Sequence, residues 1–518
     1  MSNPLSLFRA LVVFTFCIFL AVFMGYVVAS PMNSTALLSY GLIFLAFAFP
    51  LLLRWHFLIL LFSWNMNAVI FFLPGSPPFW MLMIAVSLVL SLSFYALNRR
   101  ERFLGNPSVI FPLLFIGAVA LATAELRGGI NLGSFGGGAA GGKRYIYIFA
   151  AIVGYLAFAC QSIPLKKAYA YGAAFFLGGA SAVIGNLLPL VNPAFYFIFA
   201  VFPPEQSGLE ALGLVDASSV TRFSGFTLAC TATFCSLLAC YGIRGIFDLS
   251  GPLGFLPFRF RGGFGVNKPW RLILFVLAVA ISLFGGYRSS LAVLAITFGI
   301  QFFFEGLFRS RLFPILIILS VLSAAIILPL ADKLPLSMQR SLSFLPIEVD
   351  PIARADAEGS SQWRFTIWRR VLPEVPQYLF LGKGYAISSR DLSIMIGAAG
   401  IDTMEIATLA GDYHNGPLSL IMPLGIWGVI GFVWFIIASL KVLSKNYRFS
   451  PPSILNLNRF LLVYFIAHVF YFFFIFGSLH SDLAFFAGIV GLSTSLNGGV
   501  RRATPYQVAE VERQLVSV

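Results

Sequence analysis

The stretch Asp412-Tyr413-His414-Asn415-Gly416-Pro417-Leu418-Ser419-Leu420-Ile421-Met422 passes from polar to apolar within a few residues. After it the chain stays apolar to about residue 440, long enough for a helix to cross a bilayer while satisfying its own backbone hydrogen bonds. Before it lie residues 331–413, a long polar interruption in an otherwise oily chain. This junction fixes the reading of the whole: scaffold helices, then a large extramembrane loop, then a closing set of helices.

Composition agrees. Of 518 residues, 59% are hydrophobic and 10% charged, where a soluble chain carries about 25% charge. Apolar runs near 8–29, 36–53, 57–73, 79–97, 107–125, 145–161, 169–188, 223–243, 271–286, 289–307, 312–330, 415–440, 460–478 and 483–498 read as spans. The expected fold is an all-α, polytopic integral membrane bundle of about 12–14 transmembrane helices, with one large, partly helical outer loop. Its divisions are an N-terminal bundle at 1–330, the loop at 331–413, and C-terminal helices with a cytoplasmic tail at 414–518. The first run is longer than a signal-peptide core, and Pro31 follows Ser30 at the point of any cleavage, so it reads as a retained helix. The apolar piece Pro193–Phe202 is too short to span and reads as re-entrant or interfacial.

The 34 Lys and Arg exceed the 20 Asp and Glu, a net charge of +14. The basic residues gather in alternate loops: Arg54, Arg99 to Arg102, Lys166-Lys167, Arg244 to Arg271, Arg309, Arg311, Lys441, Lys445, Arg448, Arg459, and Arg501-Arg502. That bias marks cytoplasmic loops, places both termini inside, and removes the reason to invoke nucleic acid. The five cysteines all sit in apolar runs with no metal-ligand spacing, and read as buried hydrophobes. The inner face keeps no acid/base cluster. The outer face collects Arg127, Lys143, Arg144, Glu205, Arg222, Tyr287-Arg288, the 331–413 loop, His414, His480 and Asp482.

On that face Arg288 opens a helix in Gly285-Gly286-Tyr287-Arg288-Ser289-Ser290, and Arg222 opens another in Thr221-Arg222-Phe223-Ser224-Gly225. Each is either a snorkelling anchor or an anion ligand. Two such arginines with few acids nearby in sequence read as unpaired, and guanidinium forks grip phosphate oxygens bidentately. In the loop, Ser360 to Arg370 reads as a capped amphipathic helix. Its Trp363, Ile367 and Val371 recur on one face, set either at the membrane interface or against the loop itself. Arg364 is its phosphate-ligand candidate, while Arg369 and Arg370 read as surface charges. His414 is a general-base candidate, with Asp412 near enough in sequence to orient it and Asn415 placed to cap the helix. Gly425 and Gly428 permit close helix packing. His468 reads as a packed, hydrogen-bonded core residue, and His480 with Asp482 as a structural turn. The glycine-rich run Gly128–Gly142 lacks a P-loop ending and reads as a loop.

Taken in order, Arg-Phe-Ser-Gly at Arg222, Gly-Tyr-Arg-Ser-Ser-Leu at Arg288, Arg364 with Trp368 leading into Pro376 to Tyr385, and His414-Asn415 through Gly425-Ile426-Trp427-Gly428 resemble the O-antigen ligase and O-antigen polymerase superfamily. The resemblance covers mainly residues 215–431. It departs at Pro423, where an acidic residue often follows His-Asn, and at Phe226-Thr227-Leu228, where Pro-Asn is often found.

The resemblance implies a transferase that uses no metal and no other cofactor, at the periplasmic face of a bacterial inner membrane, with the large loop periplasmic. Its donor is then a glycan on undecaprenyl diphosphate. The acceptor is another lipid-linked glycan, lipid A-core or another hydroxyl, in O-antigen, lipopolysaccharide or exopolysaccharide biosynthesis. Arg222, Arg288 and Arg364 fall on the diphosphate ligands and His414 on the catalytic histidine, with Asp412, Asn415 and Trp368 supporting. Arg288 also serves the chemical step. The competing class is a transporter or flippase, which places polar residues at the bilayer midplane in discontinuous helices. Apart from His468 and Asn186 the spans show few.

Overall fold

The computed structural model describes residues 34–502, apart from Pro74 and residues 98–102, 129–141, 215–217, 249–268 and 388–402, together with part of residues 14–25. Most of the expected 8–29 span therefore lies outside the described residues. So do the glycine-rich run beyond Gly128, the basic cluster at 99–102, most of the basic loop before Arg271, and the tail beyond Arg502.

Two units divide the chain, Met1–Ile59 and Leu60–Val518. Every described residue of the first is helical, mostly in helix α1, Ser34–Ser63. The second carries α2 (Phe79–Leu97), α3 (Pro107–Arg127), α4 (Gly142–Phe158), α5 (Ala168–Leu177), α6 (Ser224–Ile246), α7 (Pro269–Phe284) and α8 (Arg288–Phe304). It continues through α9 (Leu312–Ile327), α10 (Leu336–Leu342), α11 (Pro351–Val371), α12 (Thr403–Ala410), α13 (Gly416–Arg448), α14 (Leu455–Phe474) and α15 (Leu479–Asn497). The one extended pairing among the described residues is an isolated bridge, Val69 to Pro78.

Eight described segments are long and apolar enough to cross a membrane: α2, α3, Leu165–Leu190, α6, Leu312–Lys333, α13, Pro452–Phe474 and α15. The apolar helical stretches Phe47–Ser63, α7 and α8 are shorter. The protein is an all-helical, multi-pass membrane protein. The buried centre of the second unit is aromatic, with Phe432, Phe465, Phe472 and Phe486 each at most 1% exposed. The five cysteines form no disulfide; Cys230 and Cys235 are buried as expected, but Cys160 and Cys240 are half-buried and Cys17 is exposed, since it lies on a helix face that no other described element of its unit covers.

Three elements differ from the spans read in the sequence. The runs at 36–53 and 57–73 are not two helices. One helix ends at Ser63 and the chain then extends. Asn65 and Asn67 account for this, because their groups pair with a distant segment instead of continuing their own helix: Asn65 Nδ2 donates to Phe175 O at 2.8 Å, and Asn67 N to Ser181 Oγ at 2.9 Å. Val69 N reaches Val201 O at 2.8 Å. The 169–188 span is likewise discontinuous, α5 passing into a 3-10 helix over Gly178–Leu190. Its glycines let neighbours come close; a Cβ at Gly178 would collide with the carbonyl of Phe62.

The third is α13. Pro423 supplies no N–H, and Gly425 stands at φ 65°, ψ −164°, a region open almost only to glycine. The 379–384 segment takes up the freed groups: Lys383 N donates to Met422 O at 2.7 Å, Gly384 N to Pro423 O at 3.1 Å, and Ile426 N to Leu379 O at 2.7 Å. Gly425 thus serves a break and a docking point, and the expectation of simple close packing there is corrected. The close helix approach lies one turn on, where Gly431 faces Phe115 and Ile116.

Candidate functional site

The ends of α6, α7, α8, α13, α14 and α15 that carry the predicted residues meet. Phe223 N donates to Gly285 O at 3.2 Å, which ties the start of α6 to the turn between α7 and α8. A Cβ at Gly416 would strike the carbonyl of Phe472, so the start of α13 abuts α14. Leu479 N donates to Ser419 Oγ at 3.0 Å, joining α15.

Helix α11 lies across these ends. It begins at Pro351, not near Ser360, because Asp350 caps it: its Oδ1 accepts from Ile352 N at 2.7 Å. The expected stripe exists, but it faces protein. Ile367 and Val371 are buried with Tyr413, Leu418 and Met422, and Trp363 and Trp368 pack beside them. Protein rather than lipid thus covers the centre of the stripe, which corrects the membrane-interface reading for Ile367 and Val371, while Trp363 and Trp368 stay half-buried.

Arg288 donates through Nη2 to Ala357 O and to Ser361 Oγ (3.1 Å), both on α11. Arg222 is not unpaired, as its sequence context suggested. Its Nη2 lies 3.2 and 3.0 Å from the two carboxylate oxygens of Asp356, also on α11. Asp356 takes a further hydrogen bond from Arg340 Nε, and Arg340 Nη1 reaches Gly286 O. Burial alone would raise the Asp356 carboxyl, but the Arg340 hydrogen bond and the Arg222 and Arg340 charges hold it below the usual carboxylate range.

Arg340 and Asp356 are the residues that sequence reasoning missed. Arg340 looks like one surface charge in a polar helix, yet only 4% of its side chain is exposed.

His414 sits at φ 48°, a left-handed position that turns its ring away from the path of α13. The ring lies between Trp363 (centroids 5.2 Å) and Phe476 (4.8 Å). Arg364 stands over Phe476, its guanidinium carbon 5.6 Å from the ring centroid. Burial lowers the imidazole pKa from its ordinary 6.5; the Asp412 charge opposes this and the Arg364 charge adds to it. Neutral imidazole is the form able to accept a proton. Asp412 acts through its charge alone, for His414 Nδ1 is buried without a hydrogen-bond partner among the described residues. Burial likewise lowers the Arg364 pKa, and Arg340 and Arg222 add to the effect against Tyr471.

The supporting residues set this geometry. Asn415 caps α13, its Oδ1 accepting from Leu418 N at 3.0 Å. Trp368 Nε1 donates to Tyr413 O at 2.8 Å. Arg369 and Arg370 are exposed. His480 Nδ1 lies 2.9 Å from Ser478 Oγ, and Asp482 accepts from Ser478 N at 2.6 Å, a turn held from within. His468 is packed as expected, stacked on Phe485 at 3.6 Å, but its Nδ1 has no hydrogen-bond partner among the described residues.

Deeper polar groups pair with one another. Asn186 donates to Ser207 Oγ at 2.6 Å and accepts from Phe226 N at 3.0 Å. Glu205 accepts from Asn67 at 3.2 Å and from Ser224.

The opposite helix ends hold an acid and its cations where none were expected. Glu305, 7% exposed, accepts from the amides of Ile243 (2.8 Å) and Arg244 (3.0 Å), and Arg459 stands 3.6 Å away. A cavity of about 440 Å3 adjoins them. Among the described residues no three of His, Cys, Asp and Glu group so as to hold a metal ion.

Residues 273–433 match the O-antigen ligase family, so the chain carries a domain of that family. The match takes in Arg288, Arg340, Asp356, Arg364 and His414, and leaves Arg222 outside. No curated protein matches the chain significantly.

Proposed function

We propose that the chain transfers a glycan from an undecaprenyl-diphosphate carrier to an acceptor hydroxyl at the periplasmic face of a bacterial inner membrane. The coarse activity, glycan transfer of the O-antigen ligase and polymerase type, rests on the family domain. The assignment of residues rests on one observation: a half-buried imidazole whose pKa burial lowers, near arginines drawn from separate segments of the chain.

In this reading His414 takes the proton of the acceptor hydroxyl as its oxygen bonds to the anomeric carbon. The bond from that carbon to the phosphate oxygen breaks, and the electron pair leaves with the diphosphate. Arg222, Arg288 and Arg364, joined by Arg340, meet the charge that gathers on the leaving group. Fixed cations in a site with little water stabilise such charge without reorganising. Trp363 and Phe476 hold the ring in place. A carbohydrate acceptor suits their faces, because sugar C–H surfaces pack on aromatic rings. Whether the acceptor is a second lipid-linked glycan or lipid A-core, the step at His414 is the same.

The test is release of undecaprenyl diphosphate by purified protein in nanodiscs, given lipid-linked oligosaccharide, acceptor and a chelator. Wild type releasing the carrier while His414→Ala does not is the expected result. A ladder of products identifies a polymerase and a single transferred glycan a ligase. Carrier release at equal rates in both proteins removes His414 from the mechanism. No release from any donor shifts the reading to transport.

A further inference from the structure

We infer that Arg222, Arg340 and Ser219 form an oxyanion seat for one phosphoryl group of the lipid-linked donor, and that Asp356 is an internal carboxylate filling the seat until the donor displaces it. The inference rests on the transferase reading above.

Three side chains converge on one carboxylate. Asp356 Oδ1 accepts from Ser219 Oγ at 3.0 Å and from Arg222 Nη2 at 3.2 Å. Its Oδ2 accepts from Arg222 Nη2 at 3.0 Å and from Arg340 Nε. A hydroxyl and two guanidinium groups around one small anion is the donor set by which phosphoryl oxygens are also held.

Two further observations set this apart from an ordinary surface ion pair. Asp356 supplies one negative charge against two guanidinium groups, which leaves the seat positive. And Arg222 Nε is buried with no hydrogen-bond partner among the described residues, so Asp356 engages only Nη2. A tetrahedral oxyanion bound side-on uses both Nε and Nη2. Asp356 therefore leaves one donor of the seat unused, which a group with a third oxygen can take up. The seat opens on the Arg222 side, where that side chain is 34% exposed, while Arg340 at 4% and Asp356 at 11% close its floor, so an incoming anion gains the seat only by displacing Asp356.

The helix bearing Asp356 also covers the second arginine. Ala357 O and Ser361 Oγ of α11 take up Arg288 Nη2. Helix α11 thus presents its own oxygens to two diphosphate-ligand candidates at once. Donor and Asp356 compete for Arg222, so the donor binds only the fraction of molecules in which Asp356 has let go. Asp356 is in this sense a positioning residue that sets donor affinity through Arg222 and Arg340.

The experiment compares undecaprenyl diphosphate binding to the full chain in nanodiscs, wild type beside Asp356→Asn, with amide exchange followed over residues 351–371. Asp356→Asn keeps the shape and removes the charge. It is expected to bind the lipid about tenfold more tightly, the factor expected if only a tenth of wild-type molecules are open. Its 351–357 amides are expected to exchange faster without ligand, and those of the wild type to do so on adding the lipid. Inorganic pyrophosphate is expected to compete in both proteins; failure to compete overturns the seat.

Equal or weaker lipid binding by Asp356→Asn means that Asp356 only orients Arg222, which overturns the inference and leaves the transferase reading standing. Binding by neither protein overturns both. Should Asp356→Asn not fold, unchanged or slower exchange over 351–357 in lipid-bound wild type overturns the inference by itself.

Discussion

The indole of Trp368 donates to the carbonyl of Tyr413 at 2.8 Å, across 45 residues of sequence. This bond fixes α11 to the residue that precedes His414, so the phosphate-ligand helix and the general-base candidate share one anchor. Trp368→Phe keeps an aromatic ring but loses the N–H and part of the indole's bulk, leaving the Tyr413 carbonyl unmet at a cost of about 1–3 kcal/mol. The variant is expected to melt lower in detergent and to transfer glycan more slowly, yet less slowly than His414→Ala. Melting and turnover both unchanged would show that the bond positions nothing.

His414→Ala is expected to slow transfer about 10²–10⁴-fold, the range of general-base assistance, with donor binding largely retained. Measuring turnover and carrier binding on the same preparation separates the two. Parallel loss of binding and rate would instead place His414 among the donor ligands.

The pH dependence carries a sign. Burial lowers the His414 pKa, so the imidazole stays neutral as pH falls through 6.5, and the acidic limb of turnover lies below that value. Asp412 raises the His414 pKa and Arg364 lowers it. Asp412→Asn should therefore move the limb to lower pH, and Arg364→Gln should move it to higher pH. A pH–rate series on the three proteins checks this, and shifts of the same sign in both variants contradict the assignment.

Arg288→Ala should weaken donor binding and turnover together, by about 10- to 100-fold, the scale of a charged hydrogen-bonding group lost from a partly buried site. Arg288→Lys keeps the charge without the planar guanidinium whose Nη2 meets both Ala357 O and Ser361 Oγ, and should recover only part of the loss. Full recovery by lysine would mean that Arg288 acts as a point charge.

Gly425→Ala places a Cβ 2.9 Å from Phe380 O at a φ of 65°, so it should destabilise by about 1–3 kcal/mol and loosen the 379–384 segment. Faster proteolysis within 379–388 is the readout. Gly299→Ala in α8 is the control, since a Cβ there meets nothing within 4 Å.

Arg222, Arg288 and His414 were legible as candidates because each opens or adjoins an apolar run, and hydropathy marks such ends; Arg364 was read from an amphipathic stretch of the polar loop. Arg340 and Asp356 were not. Asp356 meets Arg222 across 134 residues, and no periodicity carries that. The start of α11 was misplaced for a related reason. Ser360-Ser361 imitates a cap, while Asp350-Pro351 opens a polar helix whose buried face, Ala353 and Ala357, has no apolar stripe to announce it. The stretch after Ser63 read as a span because Ala68 to Leu73 is apolar, and the partners that hold it extended lie over a hundred residues downstream.

Those partners bear on how the protein is made. In the extended stretch at 64–70, Trp64, Met66, Ala68 and Ile70 pair with near neighbours, but Asn65, Asn67 and Val69 find their partners on Phe175, Ser181, Val201 and Glu205. When it leaves the ribosome, none of these exist. An unpaired backbone is not tolerated in lipid, so the amides of Asn67 and Val69 are expected to wait at the interface or within the insertion machinery until their acceptors arrive. At about 5–20 residues per second, that wait lasts several seconds. A nascent chain stalled before residue 201 should leave 64–70 open to aqueous labelling, and one stalled well beyond it should not. Assembly of this bundle is therefore a matter of order in time: its seventh decade of residues becomes membrane structure only after its twenty-first has been translated.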